Sequence, residues 1–385
     1  MIIGIPKEIM HEEKRVAATP NDVKKYVADG HKVLVEMGAG VGALHADADY
    51  AAAGAEMVKS AQELYDRAEL ILKVKEPQFN ENFKKHEVEM MHKGQYLITC
   101  IHPAAPVNHE MVKKMAAAGV ISLTMDCVPR ISRAQSMDAL TSMSTCAGYK
   151  GMLMAASDLE CFVPMMPTAA GMIKPVNAMV IGVGVAGLQA LATAKRLGAK
   201  TFAMDIRPAA AEQATSLGAK VIESGVAPEL AMGQGGYALE LPADVLAAER
   251  ELLAKELPNM DIVFLSALVP GRLAPILITE EMVKSMKPGS VIVDIAIDQG
   301  GNCAITPAGK RETKHGVIIE GIKNIPGMLA VSSTFMYSAN MYNLVKFLVK
   351  DGKMNLDMND EIVRGMMTTM DGKVVHEGAR AAMGI

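Results

Sequence analysis

The chain has 385 residues, half of them apolar, which allows two to three domains with buried cores and excludes a disordered protein. Its net charge is −4, with neither a basic half nor a polybasic run, so electrostatic recruitment to nucleic acid or to an anionic membrane is excluded. Five scattered cysteines (Cys100, Cys127, Cys146, Cys161 and Cys303) form no Cys-x-x-Cys pair, which argues against a disulfide framework or a zinc ribbon and for a reduced, cytoplasmic protein. In chain order, short apolar runs predict strands at 2–5, 31–36, 70–74, 96–100 and 121–125, and amphipathic stretches predict helices near 20–29, 61–68 and 109–118. The apolar opening before Lys7 is too short for a secretory signal.

Residues 136–156, rich in Ala, Met and Ser, read as a long connecting helix. A second series follows, with strands at 178–181, 201–204, 220–222, 262–266, 291–295 and 317–319 and helices at 188–197, 211–217 and 280–285. Strands separated by helical patterns predict βαβ units and parallel sheets. Residues 175–194 carry no charge over a membrane-span length, but the run changes from a β-rich stretch through Gly182, Gly184 and Gly187 to a helix-forming tract. That grammar is strand, glycine turn, helix, and predicts a soluble buried unit. The thirty-one methionines read as adaptable core packing.

The most specific local pattern is Gly182-Val183-Gly184-Val185-Ala186-Gly187, with Asp205 closing the next predicted strand. A pyrophosphate is held by the open amides of a helix start, and close approach requires residues without Cβ. Asp205 suits the adenosine ribose hydroxyls and would repel a 2′-phosphate, which favours NAD(H) over NADP(H); Arg207 works against this, because a guanidinium pairs well with that phosphate. The expected fold is therefore α/β, two Rossmann-like doubly wound domains with a cleft between them. The first is expected at 1–135 plus 336–385, and the NAD-binding domain with its linker helix at 136–335.

A second constellation comprises Arg15, Lys75, His102 and Asp298, each at or beyond the end of a predicted strand, where an open α/β sheet places its crevice. Arg15 suits a carboxylate clamp, Lys75 the polarisation of a carbonyl or imine, His102 proton transfer, and Asp298 orientation of the site. On spacing alone, lysines and arginines are usually solvated and a single histidine is usually structural. No histidine or carboxylate spacing completes a metal site, and there is neither a Gly-x-Ser-x-Gly elbow nor a Walker lysine. Gly235-Gly236-Tyr237 lies in a polar insertion that reads equally as a mobile lid or as a surface excursion.

The segment Pro129-Arg130-Ile131-Ser132-Arg133-Ala134-Gln135-Ser136-Met137-Asp138-Ala139-Leu140 resembles the signature of the NAD(H)-binding components of proton-translocating nicotinamide nucleotide transhydrogenases. Thr168–Gly171, Gly182–Gln189, Gly235–Ala238, Ala267–Gly271 and Gly300–Cys303 resemble the same family, so that the likeness spans nearly the whole chain. The resemblance implies NAD(H) presented to NADP(H) on a partner subunit, proton pumping by membrane subunits, a homodimer, and a cytoplasmic chain held at the inner membrane face through its partners. It implies that Arg130, Gln135, Asp138 and Thr141 orient the nicotinamide, that Tyr237 lies on a loop closing over the nucleotide, and that Ala267 and Leu268 line its site. Thr141 stands where the family commonly has serine. The related alanine dehydrogenases use an arginine, lysine, histidine and aspartate, matched here by Arg15, Lys75, His102 and Asp298. The alternative is thus a freestanding NAD-dependent L-alanine or other amino-acid dehydrogenase performing oxidative deamination, and a non-catalytic NAD sensor is the third reading.

Overall fold

The computed structural model describes residues 1–232, 239–269 and 273–385. The chain forms two compact units, Met1–Met143 with Gly327–Ile385, and Ser144–Pro326. These divisions differ from the expected ones because the connecting helix, Ala139–Asp158, straddles the first of them: Ala139 and Met143 are buried in the core of the first unit, Met152 and Ala155 in that of the second.

Numbered in chain order, the strands are β1 (Ile2–Ile5), β2 (Lys32–Glu36), β3 (Glu56–Val58), β4 (Leu70–Leu72), β5 (Tyr96–Thr99) and β6 (Ile121–Thr124), then β7 (Asn177–Ile181), β8 (Lys200–Met204), β9 (Lys220–Val221), β10 (Ile262–Leu265), β11 (Val291–Asp294), β12 (Arg311–Lys314) and β13 (Val317–Glu320), and finally β14 (Met367–Met370) and β15 (Lys373–Val374). The first unit's sheet has the order β15-β14-β6-β5-β4-β1-β2-β3. Strands β1 to β6 run parallel, and the C-terminal segment returns as β14, antiparallel to β6. The second sheet is β9-β8-β7-β10-β11-β13-β12, parallel except for β12 at the edge.

Both sheets thus wind outward from a central strand and reverse direction, the first between β1 and β4 and the second between β7 and β10. Such a reversal opens a crevice beyond the carboxyl ends of the strands. Burial agrees with a sheet covered on both faces: Leu70–Leu72 and Ile262–Leu265 are buried without alternation. Helix ends are written locally, as at Pro20–Ala28, where Pro20 takes the first turn and the Thr19 hydroxyl accepts from the Asp22 amide. The uncharged 175–194 run resolves into β7, a glycine turn and the helix Val185–Arg196. Among the described residues no helix is long and apolar enough to cross a membrane. A hairpin of Met166–Thr168 and Gly171–Ile173 stands as a separate two-stranded sheet.

Candidate functional site

At the reversal in the second unit, the three glycines do different work. Gly182 is left-handed at φ 84°, and a Cβ there would lie 2.5 Å from the Ala267 amide nitrogen, so the loops after β7 and β10 touch through backbone. Gly187 packs against the Gly182 carbonyl, where a Cβ would meet it at 2.2 Å. A Cβ on Gly184 would meet nothing within 4 Å, which leaves its face open. Gly184 caps the helix Val185–Arg196 without a side-chain hydrogen bond, and the Leu188 amide is the first to donate back, to the Gly184 carbonyl. The amides of Val185, Ala186 and Gly187 therefore precede the first helical bond and form an anion cradle.

Asp205 closes β8 and accepts the Val183 amide at 2.6 Å, tying the glycine loop to the neighbouring strand. The Arg207 guanidinium grips the same carboxylate at 3.0 and 2.9 Å, so Arg207 is engaged on Asp205 and its own pKa is raised by that bond. On the other side, the buried Asn302 clamps Ala267 at both its amide and its carbonyl, at 2.9 and 2.8 Å. Asn302 is held in turn by Asp294, which accepts from the amides of Ala296, Asn302 and Cys303 and from the Thr306 hydroxyl. Sequence reasoning did not find Asp294; its signal was a carboxylate ending an otherwise apolar strand just before Gly300-Gly301. Leu268 is exposed, Asp298 is exposed beyond β11, and Tyr237 lies outside the described residues.

The reversal in the first unit carries charge. Arg15 is buried, and its Nε donates to Glu13 Oε1 at 2.7 Å while Nη2 pairs with the other carboxylate oxygen. Burial opposes this charge, but Glu13 outweighs it and raises the Arg15 pKa. Lys75 is fixed through its carbonyl, which accepts the Thr99 hydroxyl at 2.8 Å, and the Val74 amide beside it donates to Glu8 at 2.6 Å. His102, at φ 48°, turns Nδ1 toward Asp126 Oδ2 at 3.2 Å, with its side chain 48% exposed. The Asp126 charge raises the His102 pKa against the cost of burial. Burial disfavours the Asp126 carboxylate, but His102, the Thr124 hydroxyl and the His102 amide hold its pKa well below the usual range. With Nδ1 on a carboxylate, Nε2 is the ring nitrogen not committed to Asp126.

Cys100 lies electrostatically among Arg15, Lys75 and Asp126, and burial followed by Asp126 pushes its thiol up to about 12, leaving it inert at neutral pH. Three of the four expected pocket residues thus gather at one strand reversal, while Asp298 belongs to the second unit. The carboxylate that orients His102 within the first unit is Asp126, which sequence reasoning missed although it follows the strand next to that of His102. Beneath them, Lys73 is fully buried between Glu87 at 2.9 Å and Glu8 at 3.3 Å.

The segment Arg130–Leu140 is anchored at several points. Asp138 accepts the Thr141 amide and hydroxyl at 2.8 and 2.7 Å, so the hydroxyl that threonine shares with serine is the group in use. Arg133 forms a two-pronged pair with Asp360 at 2.7 and 2.9 Å, and Asp360 caps the helix Glu361–Met366 through the Ile362 amide. Asn340 and Asn343 both donate to the Ser136 carbonyl, at 2.9 and 3.1 Å. Arg130 and Gln135 are exposed on the held loop. Among the described residues no group of three or more His, Cys, Asp or Glu side chains could hold a metal.

Two doubly wound units, one with an open glycine loop at its reversal and the other with a charged crevice, define the class of Rossmann-type nucleotide-binding proteins. Known proteins narrow this further. Family models described as the alanine dehydrogenase/PNT N-terminal and C-terminal domains match residues 4–147 and 151–377, and the chain belongs to that family. It is 43% identical over 379 residues to the first part of NAD(P) transhydrogenase subunit alpha from Rhodospirillum rubrum, covering 98% of each chain. A solved transhydrogenase from Sinorhizobium meliloti superposes with a TM-score of 0.84 at 39% identity, covering 97% of this chain and 100% of that one. An L-alanine dehydrogenase structure also scores 0.84, at 28% identity, covering 100% and 99%. Backbone likeness does not separate the two activities, whereas identity leans to the transhydrogenases.

Proposed function

We propose that the chain binds NAD(H) and presents it for hydride transfer to NADP(H) on a partner subunit, as a transhydrogenase component whose proton translocation is performed by membrane subunits. The observation that carries this reading is the identity of 43% over 98% of a transhydrogenase α chain, which includes the anchored Arg130–Leu140 segment. Bound dihydronicotinamide supplies the hydride. Val185, Ala186 and Gly187 offer amides to the pyrophosphate, the open face of Gly184 lets it approach, Gly182 sets the turn, and Asp205 accepts the adenosine ribose hydroxyls once Arg207 gives way. Ala267 and Leu268 wall the site opposite. Arg130 and Gln135 hold the nicotinamide amide, and Asp138 with Thr141 fixes the turn that presents them. Such a chain works in the cytoplasm, at the inner membrane face through its partners.

A homodimer is part of the proposal. The hairpin Met166–Thr168/Gly171–Ile173 has only two strands, too few to be stable alone, and exposes Met172 and Ile173 beside exposed Phe162 and Met165.

Mixing the purified chain with an NADP(H)-binding transhydrogenase subunit should give NADH-dependent reduction of NADP; no transfer with a partner shown to be active overturns the reading. The dehydrogenase reading is favoured by one observation, the His102–Asp126 pair beside Lys75, in which His102 would take a proton as hydride leaves the amino acid. Alanine with NAD should nevertheless produce no NADH absorbance, and brisk turnover abolished by His102→Ala would reverse the preference.

A further inference from the structure

The helix Ala330–Leu348 has a buried side of two characters. Past Ala330 its buried apolar residues, Met341, Leu344, Val345 and Leu348, all follow Asn340, whereas the buried residues before it are Ser333, Thr334, Tyr337 and Ser338. A helix that only filled a core would be apolar along the whole of that side, and buried polar groups are kept where they have partners. Here the partners are loops that carry candidate site residues. The Thr334 hydroxyl accepts the Val16 amide at 3.4 Å, next to Arg15, and the Ser338 hydroxyl accepts the Thr19 amide at 2.9 Å. The Tyr337 hydroxyl donates to the Lys73 carbonyl at 2.8 Å, just before Lys75, and stands 3.9 Å from Cys100 Sγ, just before His102. One turn on, Asn340 Nδ2 donates to the Ser136 carbonyl at 2.9 Å, next to Gln135. Asn340 is 7% exposed, and its Oδ1 is buried with no hydrogen-bond partner among the described residues. A leucine there would avoid that cost, so stability alone does not account for the asparagine. What it supplies is a buried donor on a helix already fixed to the crevice loops.

We propose that Asn340 is a positioning residue for hydride transfer: its side-chain amide fixes the Ser136 carbonyl, and with it Gln135, to the helix that also holds the loops of Arg15, Lys75 and His102. The proposal rests on the reading of Arg130–Leu140 as the loop that orients the nicotinamide. Asn343 donates to the same carbonyl at 3.1 Å but is less buried, so water competes for its bond and Asn340 is the firmer of the two holds. The nicotinamide loop is thereby set in register with the charged crevice of its own unit, and alignment of this kind acts on the rate of transfer and not on the grip of the nucleotide.

The test measures kcat for NADH-dependent reduction of NADP by the full chain with an active NADP(H)-binding subunit, beside the Kd for NADH of the chain alone. Asn340→Leu removes the donor and should lower kcat about tenfold while leaving Kd within about twofold. Asn340→Asp keeps the shape and guards against a folding defect of the first variant. Its ionised carboxylate offers the Ser136 carbonyl no donor, whereas the protonated acid does, and burial raises the pKa at which the proton is taken up. Relative to the parent chain, the kcat of Asn340→Asp should therefore rise about fivefold from pH 8 to pH 6, a recovery that a mere packing role would not produce. Gln135→Ala reads the loop itself and should lower kcat. If Gln135→Ala does so while Asn340→Leu stays within twofold of the parent, or while the Asn340→Asp ratio is flat with pH, Asn340 does not position the loop and the proposal alone falls. A Kd that weakens in step with kcat in Asn340→Leu overturns it as well. If Gln135→Ala also leaves kcat unchanged, the reading of the loop falls with it.

Discussion

The two units share a strand order and differ in what they place where it reverses. The second unit puts backbone there: Gly182 and Gly187 are squeezed against other main-chain atoms and Gly184 faces open space. The first unit puts side chains there, with Arg15 on Glu13, His102 on Asp126, and Lys73 locked between Glu8 and Glu87. One topology therefore supports two kinds of crevice. A backbone crevice is disrupted by a single added carbon, whereas a charged one depends on every buried charge keeping its partner.

The largest effect expected from this contrast is at Lys73. Replacing it with methionine strands two buried carboxylates, and removing one partner of a buried ion pair costs roughly 3–5 kcal/mol. Chemical denaturation should show that loss, and Glu8→Gln in the same chain should recover part of it; a loss below about 1 kcal/mol would mean that these charges are not buried as a pair. Next come the glycines. Gly182→Ala combines a left-handed φ with a contact at 2.5 Å to the Ala267 amide and should destabilise by about 2 kcal/mol or more while abolishing NADH binding. Gly184→Ala should leave stability nearly intact and weaken NADH roughly tenfold, because its Cβ occupies only the space left for the ligand. Equal stability losses in the two variants would erase the distinction between a packed and an open glycine.

The same contrast explains what was legible in the sequence. Periodicity located every parallel strand except β3, because strands buried on both faces read as short apolar runs; among the helices it missed the long Ala330–Leu348. The glycine loop was equally clear, since its chemistry depends on residue type at fixed spacing. The helix Ala243–Glu256 escaped notice: half of its apolar residues are alanines, and a buried glutamate interrupts its inward side. The C-terminal strands β14 and β15 join a sheet whose other members lie more than 240 residues earlier, a pairing such as Ser122 with Thr369 that no local pattern encodes. In the charged crevice, Arg15, Lys75 and His102 stood out as isolated cations near strand ends, but their partners did not. Glu13, Asp126 and Glu8 are ordinary surface residue types until the fold buries them.

Acidity offers a smaller effect that involves both units. Burial, then Asp158, raises Glu320 to about 7, so its contribution to stability is complete below about pH 4.5 and is lost as pH climbs through 7. Glu249 has the same sign. His102, raised by Asp126, also contributes below its ordinary range and loses that contribution as pH rises through its higher folded value. Thermal denaturation should therefore show Tm falling by roughly 2–6 °C between pH 5 and pH 8. Glu320→Gln should flatten the second unit's share of that slope and Asp126→Asn the first unit's, and a Tm that rises across this range would contradict all three shifts.

The smallest stability effect belongs to Arg133, whose pair with Asp360 is largely solvent-exposed, so Arg133→Ala should scarcely move the denaturation midpoint. Its consequence is positional. The pair and the two asparagine bonds to the Ser136 carbonyl hold the loop that carries Arg130 and Gln135; if that loop orients the nicotinamide as proposed, loosening it by an ångström costs the alignment for hydride transfer. With the partner subunit present, Arg133→Ala should lower kcat by roughly tenfold and leave the Kd for NADH within about twofold, since the glycine loop that grips the pyrophosphate is untouched. Asp360→Asn keeps one acceptor for Arg133 and for the helix it caps, and should fall between. If Kd rises and kcat holds, the Arg130–Leu140 loop binds the nucleotide and does not align it, and the aligning role proposed for that loop fails.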